Sequence, residues 1–142
     1  MAPTAAAELT AEFVGTFLLI FTIGCNVLSG NATWGGVSIA SVLMVCIYAL
    51  GGISGAHFNP AVSLALALNK TIDKPKAIKY SVVQLVAGCV AGLCYSTLFG
   101  DTFNLTPAAG FGWIHTALAE ILYTFMLCFV VLNVAVAKKC QP

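Results

Sequence analysis

The chain is 142 residues long, 60% hydrophobic and only 8% charged, with six lysines, no arginine, five acids and a formal net charge of +1. So few charges exclude the solvated surface of a soluble domain, and a near-neutral chain without arginine gives a nucleic acid nothing to bind electrostatically. One all-α membrane domain is the reading that follows from a mean hydropathy of +0.98.

The N-terminal stretch MAPTAAAELTAEF has no basic region and carries acid before the first apolar run, so it does not read as a cleaved signal peptide. Apolar runs predict four spans, over residues 9–28, 36–53, 78–98 and 113–136. Each has about 20 residues, which at about 1.5 Å per residue covers a ~30 Å hydrocarbon core. Their main polar residues are Glu12, Asn26, Gln84, Glu120 and Asn133.

Between the second and third spans lies SGAHFNPAVSLALALNK, residues 54–70. Asn59 is a favoured helix N-cap and Pro60 a favoured first helical residue. The apolar run that follows them predicts a helix of about nine residues, roughly 14 Å, half the hydrocarbon thickness. A single helix over 36–69 would be about 50 Å long, too long for a bilayer, and Gly51, Gly52 and Gly55 favour a break. A re-entrant half-helix is therefore predicted, starting near the midplane and returning to the side it came from. Irregular backbone at that depth must be buried in protein or line a watery cavity. The carbonyls of Gly55, Ala56, His57 and Phe58 are then free to accept hydrogen bonds, and Asn59 offers an amide donor. The half-helix N-terminus adds about +0.5 of a charge, which suits a neutral solute and opposes cations and protons.

Lys70, Lys74, Lys76 and Lys79 lie between the second and third spans, and Lys138 and Lys139 follow the fourth. The loops 29–35 and 99–112 have no Lys or Arg. The positive-inside rule then places both lysine clusters, and both termini, in the cytoplasm. Sequons at Asn31 and Asn104 fall in the outer loops, one held tight to the membrane and the other followed by Pro107; neither reads as glycosylated. Cys25, Cys46, Cys89, Cys94 and Cys128 lie in apolar runs and read as packing residues, while Cys140 is a weak palmitoylation candidate.

AEFVGTFLLIF (residues 11–21) and AEILYTFMLCF (119–129) agree at six positions and carry Glu12 and Glu120 in register, 108 residues apart. One copy enters from inside and the other from outside, as in three-span units related by an inverted repeat. Residues 1–112 then form the first repeat, and 113–142 the first helix of a truncated second one.

SGAHFNPAV resembles the first signature loop of the aquaporins, the major intrinsic protein family. The two Glu-bearing spans look like that family's first and fourth, and Gln84 matches the Gln of its third. The usual Gly-Ala after that Gln is inverted here, as Ala87-Gly88. The resemblance covers the whole chain. It implies a right-handed bundle with an incomplete inverted repeat, a water or small neutral solute such as glycerol as the permeant, and a homotetramer in full-length form. Asn59, Pro60 and Ala61 would then belong to the central constriction, with Asn59 donating to water, and Gly55, Ala56, His57 and Phe58 would supply part of a carbonyl ladder. The outer filter position of the second span falls on Ile39, where many water-selective members have an aromatic residue or His; a wider or drier filter passing glycerol or urea is open.

Glu12 and Glu120 are costly within spans unless partnered, and their matched positions favour anchoring of re-entrant backbone over a protonated or interfacial role. His57 reads as a fixed structural donor rather than a pH gate, and His115 as an interfacial residue. Gln84 is expected to bond a neighbouring helix, and the pairs Gly51/Gly55 and Gly88/Gly92 to pack within one subunit. No Ser/His/acid or metal-ligand spacing survives the topology, so neither catalysis nor a metal or other cofactor is expected. The repeat places a second Asn-Pro-Ala at about position 167, beyond Pro142, and the family's filter Arg beyond it. Three readings stay open: the N-terminal part of a channel, a non-conducting membrane protein that associates with full-length channels, and a pore of two opposed copies, which the lysine asymmetry disfavours.

Overall fold

A computed structural model describes residues 2–30 and 33–137. Among them run α1 (Ala5–Leu28), α2 (Gly35–Ser54), α3 (Pro60–Leu68), α4 (Lys74–Phe99) and α5 (Trp113–Val131), the last extended by a π-helical turn at Leu132–Val136. All but α3 are long and apolar enough to cross a membrane. The chain is a multi-pass, all-α integral membrane protein.

Two helices begin four residues before their apolar runs, because capping chemistry rather than hydropathy sets a helix start. Thr4 Oγ1 accepts from the Ala7 amide at 3.2 Å, and Asp73 Oδ1 from the Lys76 amide at 2.9 Å, with Pro75 in the first turn. The fourth span is not a uniform α-helix either. Asn133 Nδ2 donates to the Phe129 carbonyl at 2.8 Å, and the following turn widens until the Ala137 amide reaches the Leu132 carbonyl at 3.1 Å.

The core sits around α1. Glu8 meets Lys76 near one end of α1 and α4, Glu12 meets Gln84 further along, and Gly24 faces Tyr95 towards the other end, so the two helices run parallel. Asn26 bonds Ser38 and Glu12 bonds Ser54, so α1 and α2 run antiparallel. The buried positions of α4 are Ala77, Tyr80, Gln84, Ala87 and Ala91, spaced alternately three and four apart. They form one seam against the buried stripe Ala11, Glu12, Gly15 and Thr16 of α1, where small residues let the backbones approach closely.

That seam corrects two expectations. Gly88 and Gly92 lie one residue off it: a Cβ on Gly88 meets nothing within 4 Å, and on Gly92 only Tyr95 of its own helix, so among the described residues the pair packs against no other helix. Cys89 and Cys94 are exposed on α4, Cys94 in a groove lined also by Phe17, Leu18 and Phe21 of α1, whereas Cys46 is buried as expected. Gly88→Ala should therefore be neutral or stabilising by up to about 1 kcal/mol, from helix propensity alone. A clear loss of unfolding free energy in detergent would show that something packs on that face.

α5 stands apart. None of its residues is buried, and its main contacts with the other α-helices run to α3. Lys138, Lys139, Cys140 and Asn31 lie outside the described residues.

Candidate functional site

The site is built where α2 stops. Gly55 takes a left-handed conformation (φ +92°), and Ala56 and Phe58 follow with φ +53° and +49°. Each left-handed non-glycine residue costs about 1–2 kcal/mol, so this backbone persists only because its surroundings hold it.

The Glu12 side chain does the holding. Its residue is fully buried, and its carboxylate accepts four hydrogen bonds. Oε1 accepts from the Ser54 hydroxyl at 2.6 Å and the His57 amide at 3.0 Å; Oε2 accepts from the Phe58 amide at 2.8 Å and Gln84 Nε2 at 2.8 Å. Ser54 Oγ in turn accepts from the Ala56 amide at 3.0 Å, so three consecutive loop amides are satisfied by one carboxylate and the hydroxyl bonded to it. Charge-assisted bonds of this kind are about twice as strong as neutral ones, and four of them offset the burial of a carboxyl group.

A second layer fixes the loop from α3 and α4. Ser63 Oγ lies 2.9 Å from His57 Nδ1 and accepts from Gln84 Nε2 at 3.2 Å. The Tyr80 hydroxyl donates to the Ser54 carbonyl at 3.0 Å, and the His57 ring stands edge-on to Tyr80 at 4.9 Å between centroids. Phe58 packs its ring into the space left by Gly15, where a Cβ would overlap it.

With the amides turned inward, no described residue donates to the carbonyls of Gly55, Ala56, His57 or Phe58. Buried carbonyls without a donor among the described residues need a partner from elsewhere. They lead to Asn59, whose Oδ1 caps α3 by accepting from the Ala61 amide at 2.7 Å, while its Nδ2 has no described acceptor. Pro60 and Ala61 form the first turn of α3 and are half-buried, as Asn59 is. The half-helix spans nine residues, the length its sequence predicts, and ends in a left-handed Lys70 (φ +62°).

Two of the singled-out residues lie elsewhere. Ile39 sits in the second turn of α2, next to the Ser38 that bonds Asn26, about 22 Å along the helix from Ser54. Glu120 is exposed on α5, and none of the described residues forms around it anything like the donor set around Glu12. Sequence reasoning missed Ser54, Ser63, Tyr80 and Gly15. Ser63 left a usable signal: a hydroxyl one turn after Asn59, inside a nine-residue apolar helix.

An irregular loop held on a buried carboxylate, followed by a capped half-helix, defines a polytopic membrane protein with a re-entrant segment. The chain belongs to the major intrinsic protein family, whose model matches residues 2–142. It is 36% identical over 132 residues to the glycerol uptake facilitator protein-like 6 of Lactiplantibacillus plantarum, covering 87% of this chain and 61% of that protein. It is 37% identical over 146 residues to the probable aquaporin NIP4-2 of Arabidopsis thaliana, covering 93% and 50%. It is also 30% identical to the probable aquaporin AqpM of Archaeoglobus fulgidus, covering all of this chain and 70% of that protein. The chain thus spans between half and 70% of the length of these relatives.

Proposed function

We propose that the chain forms one half of the wall of a channel for water or a small neutral solute such as glycerol, completed by a second repeat in a longer protein. The observation that carries this is the run of four consecutive carbonyls from Gly55 to Phe58, beside the Asn59 amide on the N-terminus of α3, all without a partner among the described residues. A molecule that both donates and accepts hydrogen bonds can pass along such a row, while the half-helix dipole opposes a cation at its end. The relatives named as aquaporins and as a glycerol uptake facilitator support the same class of permeant. Under this reading Glu12 and Gln84 are loop anchors, Ile39 belongs to an outer constriction, the lysine side is cytoplasmic, and the complete protein is a homotetramer.

A second reading has its own support. The unburied α5, with Glu120 exposed on it, needs a covering partner. A short chain that associates with full-length channels without conducting meets that need equally well.

Stopped-flow swelling of proteoliposomes carrying a full-length protein that contains this chain tests the first reading: faster swelling than that of empty vesicles is expected, and swelling no faster removes it in favour of the partner reading. Where flux is seen, in this chain or in a full-length protein containing it, Asn59→Asp should lower it several-fold at unchanged stability, because Asp caps a helix as well as Asn does. Unaltered flux would remove Asn59 from the pore.

A further inference from the structure

We propose that the cleft between the N-terminal parts of α1 and α4 binds an anionic phospholipid, its phosphate at Lys79 and one acyl chain along Ile78, Val82 and Val86. The site does not depend on conduction.

Two adjoining hollows make the cleft. The first, about 290 Å³, carries the charged side chains and is walled by Glu8, Asp73, Pro75, Lys76 and Tyr80 together with Leu9 and Lys79. The second, about 370 Å³, is walled by Ile78, Val82, Val83 and Val86, again with Leu9 and Lys79. Because Leu9 and Lys79 belong to both, one continuous surface passes from charged to hydrocarbon. It does so along about 18 Å of α4, from Lys74 at the helix start to Val86. A bilayer makes the same change over that distance, from headgroup to acyl chain.

The charges within the cleft select the sign of the headgroup. Lys76 is engaged, with Glu8 at 2.8 Å and the Tyr80 ring centroid at 5.4 Å. The Asp73 carboxylate is occupied in capping the Lys76 amide. Lys79 is exposed and makes no ion pair or hydrogen bond with any described residue. Lys70 and Lys74, also exposed, add positive charge on the same side. Within the cleft Glu8 and Asp73 balance Lys76 and Lys79, Lys70 and Lys74 make the surroundings positive, and Lys79 stands unpaired among the described residues at the point where the wall turns apolar. The Lys79 stem can lie on the apolar wall while its head stays at the interface. A phosphodiester with net negative charge matches that ammonium; a zwitterionic headgroup brings its own cation to the same place.

Native mass spectrometry of the delipidated chain in detergent tests this with phosphatidylglycerol and phosphatidylcholine of identical acyl chains. Phosphatidylglycerol should be retained about fivefold more than phosphatidylcholine, the preference one interfacial lysine supplies. Lys79→Gln should bring the two to parity, Lys79→Arg should keep the preference, and Lys70→Gln, outside the cleft, should leave it intact. Val86→Trp, at an outward-facing position, should reduce retention of both lipids by filling the acyl groove. Circular dichroism of each variant checks folding, and Lys79→Arg and Val86→Trp keep the test decisive if Lys79→Gln misfolds. Equal retention of both lipids by the native chain overturns the proposal, as does a preference that survives Lys79→Gln. Retention unaffected by Val86→Trp, but competed away by glycerol phosphate, would mean a headgroup site without a lipid. A dimer that holds no lipid would mean that a second copy covers the cleft.

Discussion

Glu12→Ala should abolish the folded state in detergent. The change strips acceptors from the Ser54 hydroxyl, the His57 and Phe58 amides and the Gln84 side chain at once. Each buried donor left unpaired costs about 1–3 kcal/mol, so four cost on the order of 4–12 kcal/mol. Gln84 can fall back on Ser63, which already accepts from it at 3.2 Å, and this favours the lower end of that range. Even the lower end is comparable to the whole stability of a typical domain, about 5–15 kcal/mol. Glu12→Gln should be intermediate, because the amide keeps one acceptor oxygen but turns its own N–H groups towards other donors. Denaturant titration followed by circular dichroism reads the stability, and amide exchange at His57 and Phe58 reads the loop. A loss of less than about 1 kcal/mol in Glu12→Ala would mean that the carboxylate does not hold the loop.

The second large effect is steric. Gly15→Ala puts a methyl group into the ring of Phe58, and that ring cannot simply swing away: its backbone is left-handed at φ +49° and its amide is bonded to Glu12. Overpacking a filled site costs about 1–3 kcal/mol, and this site lies at the upper end because loop and ring must shift together. Phe58→Leu vacates part of the same space at a cost of its own. The double variant Gly15→Ala/Phe58→Leu should then be more stable than the sum of the single losses by at least about 1 kcal/mol. Additive losses would show that the two residues do not share a cavity.

These two cases mark what the sequence discloses and what it hides. The half-helix was legible because its signals are local: Asn59 and Pro60 start it, and nine apolar residues set its length. Glu12 was legible as a carboxylate that needs partners, but the identity of the partners was not. They arrive from three other elements, through contacts that no periodicity encodes. Gly15 reads in the sequence as one more small residue, and only the fold brings Phe58 against it. The span starts were missed for a different reason. Hydropathy marks where a chain becomes apolar, whereas Thr4 and Asp73 mark where it becomes helical, four residues earlier in each case. Glu120 is a different case: the second loop that it is expected to anchor falls, by the repeat, near position 167, outside the described residues, so its exposure on α5 does not count against that role.

The carboxylate on α1 also sets an order on biosynthesis. Its ligands lie 42, 45, 46 and 72 residues downstream. At roughly 5–20 residues per second, synthesis separates Glu12 from Gln84 by about 4–14 s. Through that interval the first helix is in or near the membrane with an acid that the chain has not yet learned to bind, sheltered by water or the insertion machinery. The loop amides emerge before Gln84, but Gln84 and Tyr80, which bond Glu12 and the Ser54 carbonyl, fix the loop only after the helix beginning at Lys74 has come alongside. Drawing the loop into the bilayer is therefore the closing act of assembly for α1 to α4. Mutations that delay the arrival of that helix should yield misinserted chains even where the finished structure would tolerate them.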